Sequence, residues 1–365
     1  MAIFQTNNLP GRTVLTSDGT EYLWFSGTDY LGMGHNEDFR RYLFEGINLY
    51  GTHFGSSRNN SLRLDVFHEA EDLFAEFVGA DSSLLISSGM LAGQLVMKEI
   101  ENVLKETAAH SNVIYHYAPR VHPAIWGKDY ASNETLWNSW AASIIALINN
   151  SSKDTVHIIC TDATGSPMVE AFDFSIFNRL NDPDHVWLII DESHSVGVSG
   201  ANGRGVGYVL NAPLKSKAIF LSSLNKALGI PGGVIWGSED ITALLRKSPW
   251  FAGASPPAPA YAYTLKRLLE TNVFASSLSK LTANIDYLNK QMLASDLFVS
   301  LPGYPVMCSK NTDLFDHLLK NGIMASCFSY PLPTDAPITR LAISSIHQKE
   351  DLDRLAEVCT LFKRS

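Results

Sequence analysis

The sequence predicts an α/β protein: a mostly parallel central sheet with helices on both faces, followed by a smaller C-terminal α+β unit. Three observations carry this. Short apolar runs alternate with stretches of helical spacing from about Ser82 to Gly237. Several runs stop abruptly on serine or aspartate, as strands do where a sheet meets a ligand. A long amphipathic stretch, beginning near Pro257 and running past Asn289, then separates this pattern from a second, mixed one.

The elements follow in order. After a short arm, EYLWFSGTDYLGMG reads as a strand breaking into a turn. NEDFRRYLFEGINLYG and SLRLDVFHEAEDLFAEFVG carry apolar residues at helical spacing, each closed by glycine. SSLLISS is a strand before the helical GMLAGQLVMKEIENVLK, and NVIYHY precedes VHPAIWGKDY. DTVHIICTDA, DHVWLIID, KAIFLSS and GGVIWGS supply further strands. YPVMCS, NTDLFDHLLKNG, ITRLAISS and KEDLDRLAEVCTLFKR form the closing α+β pattern. The expected organisation is an N-terminal segment over 1–50, a large α/β domain over 51–270 and a small domain over 271–365.

Charge and composition narrow the function. Against 37 acidic residues stand 28 Lys and Arg, for a net charge of −9, with no block of like charge, so neither nucleic acid nor an anionic membrane is an expected partner. No apolar run reaches membrane-spanning length, and MAIFQTNNLPGRT lacks a basic region followed by an apolar one. Cys160, Cys308, Cys327 and Cys359 show no CxxC spacing and read as reduced, buried thiols. A cytoplasmic location is expected.

Ligands of open α/β sheets sit at the carboxyl ends of the strands, so the residues there matter most. They are Ser88 and Gly89 after one strand, Asp191 and His194 after another, and Ser222, Ser223 and Lys226 at a third. Lys226 reads as a surface lysine or as an amine able to form a Schiff base once burial lowers its pKa. Asp191 is either a turn carboxylate or the partner of a protonated ring nitrogen. His194 and His122 read as interior histidines, or as contacts to the hydroxyl and the face of an aromatic ligand. Ser88, Gly89 and Met90, at a strand–helix joint, suit a phosphate, to which Ser222 and Ser223 add hydroxyls.

Taken together and in this order, these residues resemble the pyridoxal-phosphate enzymes of aspartate-aminotransferase fold (fold type I), and among them the α-oxoamine synthase family. The likeness runs from DYLGMGHN to RLAISSIHQKEDLDRLAEV and is most specific at DESHSVGVSGANGRG followed by NKALGIPGG. The resemblance implies pyridoxal 5′-phosphate as cofactor, Lys226 as the residue bonded to it and as catalytic base, and Asp191 beside the pyridine nitrogen. It further implies His194 at the ring hydroxyl, Ser166 as a further polar contact near the ring, His122 stacked on the ring, and Arg340 on the amino-acid carboxylate, a bidentate task suited to guanidinium. The implied reaction joins an amino acid to an acyl-CoA with loss of carbon dioxide, in a homodimer with active sites at the subunit interface. The pattern is closest to members forming 8-amino-7-oxononanoate, a biotin-pathway step, or 2-amino-3-ketobutyrate. Transamination, aldol cleavage and a non-catalytic paralogue are the rival readings.

The chain also departs from the family pattern. Thr28 stands where an Asn usually assists the carboxylate arginine, and HFGSSRNNS replaces a Gly/Ser-rich loop. TDATGSPMVEAF lacks a Met-Asp-Gly segment, and Gly253, with Ser255 nearby, stands where a neighbouring subunit's hydroxyl commonly meets the phosphate.

Overall fold

The computed structural model describes residues 3–107, 112–292, 296–329 and 334–364. The strands are β1 (Thr13–Leu15), β2 (Glu21–Phe25), β3 (Ser82–Ile86), β4 (Asn112–Tyr117), β5 (Thr155–Asp162), β6 (Val186–Asp191), β7 (Ala218–Ser223), β8 (Gly233–Gly237), β9 (Val299–Ser300), β10 (Val306–Ser309), β11 (Ile323–Phe328) and β12 (Ile338–Ala342).

One sheet has the order β3-β8-β7-β6-β5-β4. Strands β4 to β7 run parallel, and β8 is antiparallel to both of its neighbours. Every residue of β6 and of β8 is buried, which is why these strands read as continuous apolar runs rather than alternating ones. The helices Gly89–Thr107 and Glu239–Lys247 pack on this sheet. Leu188, Ile190, Leu221 and Ile235 are fully buried in it. Burial of each such side chain contributes about 1.5–3 kcal/mol, and truncating one to alanine costs about 2–5 kcal/mol.

A second sheet, β1-β2-β11-β12-β10-β9, combines the two ends of the chain. Strand β2 pairs in parallel with β11, bringing Leu23 opposite Ile323 and Phe25 opposite Ala325. The turn after β2 thereby reaches β12 and Arg340.

The helices follow local chemistry. Asn36 caps Glu37–Tyr50 by accepting from the Phe39 amide at 2.9 Å. Asp65–Val78 ends at Gly79, whose φ of 69° lets its N–H reach the Ala75 and Glu76 carbonyls. The amphipathic stretch beyond Pro257 is two helices, Pro259–Glu270 and Val273–Gln291, rather than one. The break falls at Asn272, in the left-handed region at φ 56°, which asparagine tolerates better than most residues. The first helix packs on Glu37–Tyr50 and Asp65–Val78, whereas the second packs on Lys349–Arg364.

Among the described residues no helix is long and apolar enough to cross a membrane, and no His/Cys/Asp/Glu group is placed to hold a metal. All four cysteines are free; Cys160, Cys308 and Cys359 are buried, while Cys327 is only half-buried because it lies at the partly open end of β11.

Candidate active site

The site lies at the carboxyl ends of β5, β6 and β7. Asp191 is the last residue of β6, in register with Asp162 at the end of β5. Asp191 is 5% exposed, and its Oδ1 accepts from the Ser193 amide at 2.8 Å. Its Oδ2 stands 3.8 Å from His122 Nδ1. The His122 imidazole is oriented from its own backbone. Nδ1 accepts from the Ala124 amide at 3.1 Å, which puts the neutral ring's proton on Nε2, and the His122 N–H donates to Asp162 Oδ2 at 3.1 Å. Burial lowers the His122 pKa, against the pull of Asp191.

Lys226 is not a surface lysine. Its Nζ lies 2.9 Å from His194 Nε2. Burial lowers its pKa, Asp191 and Asp162 pull it back up, and Arg340 adds to the lowering. His194 is pushed well below its ordinary value by burial and then by Lys226, so its ring is neutral and accepts from the amine. Ser166 Oγ lies 3.3 Å from the same His194 nitrogen. His194 Nδ1 is buried without a hydrogen-bond partner.

The strand–helix joint after β3 closes against β7. Ser88 Oγ accepts from the Leu91 amide at 3.1 Å, capping the helix that starts at Gly89. A Cβ on Gly89 would lie 2.6 Å from Ser223 Cβ and 2.7 Å from Ser223 Cα, so only glycine permits this approach. Ser223 is tied to the β6 end, its N–H donating to Ser193 Oγ at 2.8 Å. Ser222 is buried and donates to the Ser223 carbonyl at 3.1 Å. The Met90 side chain is half-exposed.

A cavity of about 150 Å³ gathers His122, Ser166, Asp191, His194, Lys226 and Arg340. Arg340, on β12, is buried; its Nη2 donates to Tyr30 Oη at 2.8 Å and its Nε has no partner. Thr28 is half-buried in the turn after β2 and is not part of that cavity's lining. Ser88, Gly89, Met90, Ser222 and Ser223 also lie outside the lining, at the joint described above.

The cavity contains residues that the sequence reading missed, chiefly Asp162, Arg120 and Phe328. Asp162 was findable, since it ends β5 as Asp191 ends β6. Burial and the neighbouring Asp191 push its carboxyl well above the usual carboxylate range. Arg120 carries no sequence signal. It sits in the left-handed region at φ 54° and is held by Glu170, which accepts from its Nη2 at 3.0 Å. Chemically, the cavity offers a half-buried amine of lowered basicity, two carboxyl groups, a neutral imidazole and a guanidinium whose Nε has no partner.

A family model described as aminotransferase class I and II matches residues 20–358. The 8-amino-7-oxononanoate synthase of Aliivibrio fischeri is 24% identical over 359 residues, spanning 95% of this chain and 90% of its own. Among solved structures, a serine palmitoyltransferase variant from S. paucimobilis with bound PLP–myriocin aldimine superposes with a TM-score of 0.80 at 16% identity, covering 99% of this chain and 92% of that one. The 8-amino-7-oxononanoate synthase of Francisella tularensis gives a TM-score of 0.71 at 22% identity, covering 94% and 98%.

Proposed function

The chain belongs to the aminotransferase class I and II family, and on that premise we propose that it is a pyridoxal-5′-phosphate-dependent C-acyltransferase of α-oxoamine synthase type. The net reaction is amino acid plus acyl-CoA to α-aminoketone, free CoA and carbon dioxide. One observation carries the reading: a half-buried Lys226 amine, hydrogen-bonded to His194, shares a cavity with Asp191 and with the buried Arg340.

The residues present fit the cofactor. His194 Nδ1 and Arg340 Nε are buried polar atoms awaiting partners. The Gly89–Ser223 approach leaves a side-chain-free cradle at a helix start, where amides lack acceptors. The Asp191 carboxylate is buried where a cationic heterocycle would balance it. When bound, pyridoxal phosphate supplies an electron-poor ring that accommodates negative charge at the amino acid's α-carbon.

Each residue then has a task. Ser88, Gly89, Met90, Ser222 and Ser223 are the residues that would hold the phosphate. Asp191 would hold a proton on the ring nitrogen, and His122 would contact the ring. His194 would bind the ring hydroxyl, with Ser166 as a further polar contact near the ring. Lys226 Nζ would hold the cofactor at its aldehyde carbon, and the same nitrogen would be the base that takes and returns the substrate's α-proton; its lowered pKa suits both tasks. Arg340 grips the substrate carboxylate, with Thr28 near the turn that supports it. A fixed carboxylate selects which bond at the α-carbon is aligned for cleavage.

The finer reading is an 8-amino-7-oxononanoate synthase-like, biotin-pathway activity in a cytoplasmic homodimer. The names of the Aliivibrio and Francisella relatives support the substrate class. Exposed apolar side chains, among them Phe44, Leu49, Leu62 and Trp250, support pairing of two copies. The test is release of free CoA thiol across a panel of glycine, alanine and serine against short and long acyl-CoAs. Amino-acid-dependent release with at least one pair is expected; none across the panel contradicts the reading.

A further inference from the structure

The loop HFGSSRNNS, to which the proposed function assigns no task, sends Arg58 inward. Its guanidinium meets Glu71 of the helix Asp65–Val78 as a two-pronged pair, Nη1 donating to Oε1 at 2.5 Å and Nη2 to Oε2 at 2.9 Å. The two side chains are 6% and 1% exposed. Arg246 Nη2 adds a third charge, donating to Glu71 Oε2 at 3.1 Å. Phe67 and Phe251 flank the Arg58 guanidinium at 5.0 and 5.3 Å. Taking such a cluster out of water is unfavourable in itself, so what it holds matters.

It holds the end of a strand. β3 stands last in the order of its sheet, beside β8. Leu85, near the end of β3, is fully buried, so its outward backbone groups need partners other than water. The ion pair supplies both. Glu71 Oε1 accepts from the Leu85 N–H at 2.7 Å, and Arg58 Nη1 donates to the Leu85 carbonyl at 3.2 Å. Two residues earlier, Ser83 Oγ donates to the Glu71 carbonyl at 2.8 Å. Glu71 and Arg58 thus stand where a further strand would.

Three residues beyond Leu85 comes Ser88, and the Ser88–Gly89 joint has little slack. A Cβ on Gly89 would lie 2.7 Å from Ser223 Cα, and a Cβ on Gly233 would lie 2.3 Å from the Ser88 carbonyl oxygen. Backbone contact with β7 and β8 therefore limits the joint on one side, and the Glu71–Arg58 pair holds the strand leading into it on the other.

We propose that Glu71 and Arg58 are positioning residues for the phosphate joint: by binding both backbone groups of Leu85 they fix the end of β3, and with it the amides of Ser88 and Gly89, against Ser223. The proposal rests on the reading of that joint as the cradle for the cofactor phosphate. Arg246 binds the same carboxylate from the far side and serves as the control.

The experiment titrates pyridoxal phosphate and unphosphorylated pyridoxal into cofactor-free full-length protein, followed by tryptophan fluorescence, and takes the ratio of the two Kd values. In wild type pyridoxal phosphate is expected to bind the tighter. Arg58→Met and Glu71→Gln are each expected to shrink the ratio by about tenfold, the scale of one charge-assisted hydrogen bond, with the pyridoxal Kd within about twofold of wild type. Arg246→Met is expected to leave the ratio within about twofold. A role confined to stability weakens both vitamers alike. An unchanged ratio in folded Arg58→Met and Glu71→Gln, or an equal loss in Arg246→Met, overturns the proposal. Should those two variants fail to fold, Arg58→Lys keeps the charge without the fork and is expected to shrink the ratio by about threefold; an unchanged ratio there is equally decisive against it. Wild type that binds both vitamers equally overturns the phosphate reading itself, and the proposal with it.

Discussion

Lys226 Nζ lies 2.9 Å from His194 Nε2, and both half-buried groups share a cavity with two aspartates and an arginine. The neighbours pull the amine in opposite directions. Asp191 raises the Lys226 pKa, and Arg340 lowers it. Removing Asp191's charge by Asp191→Asn is therefore expected to move the midpoint for Schiff-base formation between cofactor-free protein and free pyridoxal to lower pH. Arg340→Gln is expected to move it to higher pH. Shifts of the same sign in both variants contradict this account of the amine.

Arg340 tests recognition. Lysine keeps the charge but loses the two-pronged geometry, so Arg340→Lys is expected to raise the amino-acid KM by about tenfold and Arg340→Gln by about a hundredfold, as a charge-assisted bond worth roughly 1.5–3 kcal/mol is weakened or lost. The affinity for the cofactor is expected to stay within about twofold. Steady-state kinetics with amino acid and cofactor varied separately gives both numbers.

Gly89 tests the phosphate cradle. Its missing Cβ would meet Ser223 Cβ at 2.6 Å and Ser223 Cα at 2.7 Å, and backbone cannot yield as a flexible side chain does. Gly89→Ala is expected to cost about 1–3 kcal/mol of stability by overpacking. It is also expected to weaken cofactor retention more than Met90→Ala does, because the Met90 side chain is half-exposed. Dialysis followed by absorption of the retained cofactor ranks the two.

Outside the cavity lining, two buried groups make stability depend on pH with opposite sign. Glu192 is pushed up to about 7 by burial, so the folded state holds its proton longer than the unfolded one, and stability falls as pH rises from about 4.5 to about 7. His116 is pushed down to about 4 by burial and by His157, so the unfolded state takes a proton first, and stability falls as pH drops from about 6.5 to about 4. Each contributes ~3 kcal/mol across its window. Urea unfolding of His116→Gln is expected to show stability rising on acidification relative to wild type, and Glu192→Gln the reverse. Parallel pH profiles contradict the assignment.

The sheet and its ligand-bearing ends were legible because burial on both faces forces continuous apolar strands, and the polar residue that ends each one stands out. Asp191, His194 and Lys226 were found this way. Asp162 was passed over although it ends β5 by the same rule. The sequence did not reveal that β2 joins β11 in parallel, a pairing between distant parts of the chain that no local pattern encodes. The Asn272 break was equally hidden, since helical periodicity continues on both sides of it. Arg120 reaches the cavity through a left-handed backbone, a conformation that an arginine does not advertise.

The most direct measurement is to incubate the protein with pyridoxal phosphate, reduce with borohydride and locate the modified peptide by mass spectrometry. The account predicts a single stoichiometric label on Lys226, absent from Lys226→Ala. No label, or a label distributed over other lysines while Lys226 stays free, contradicts it.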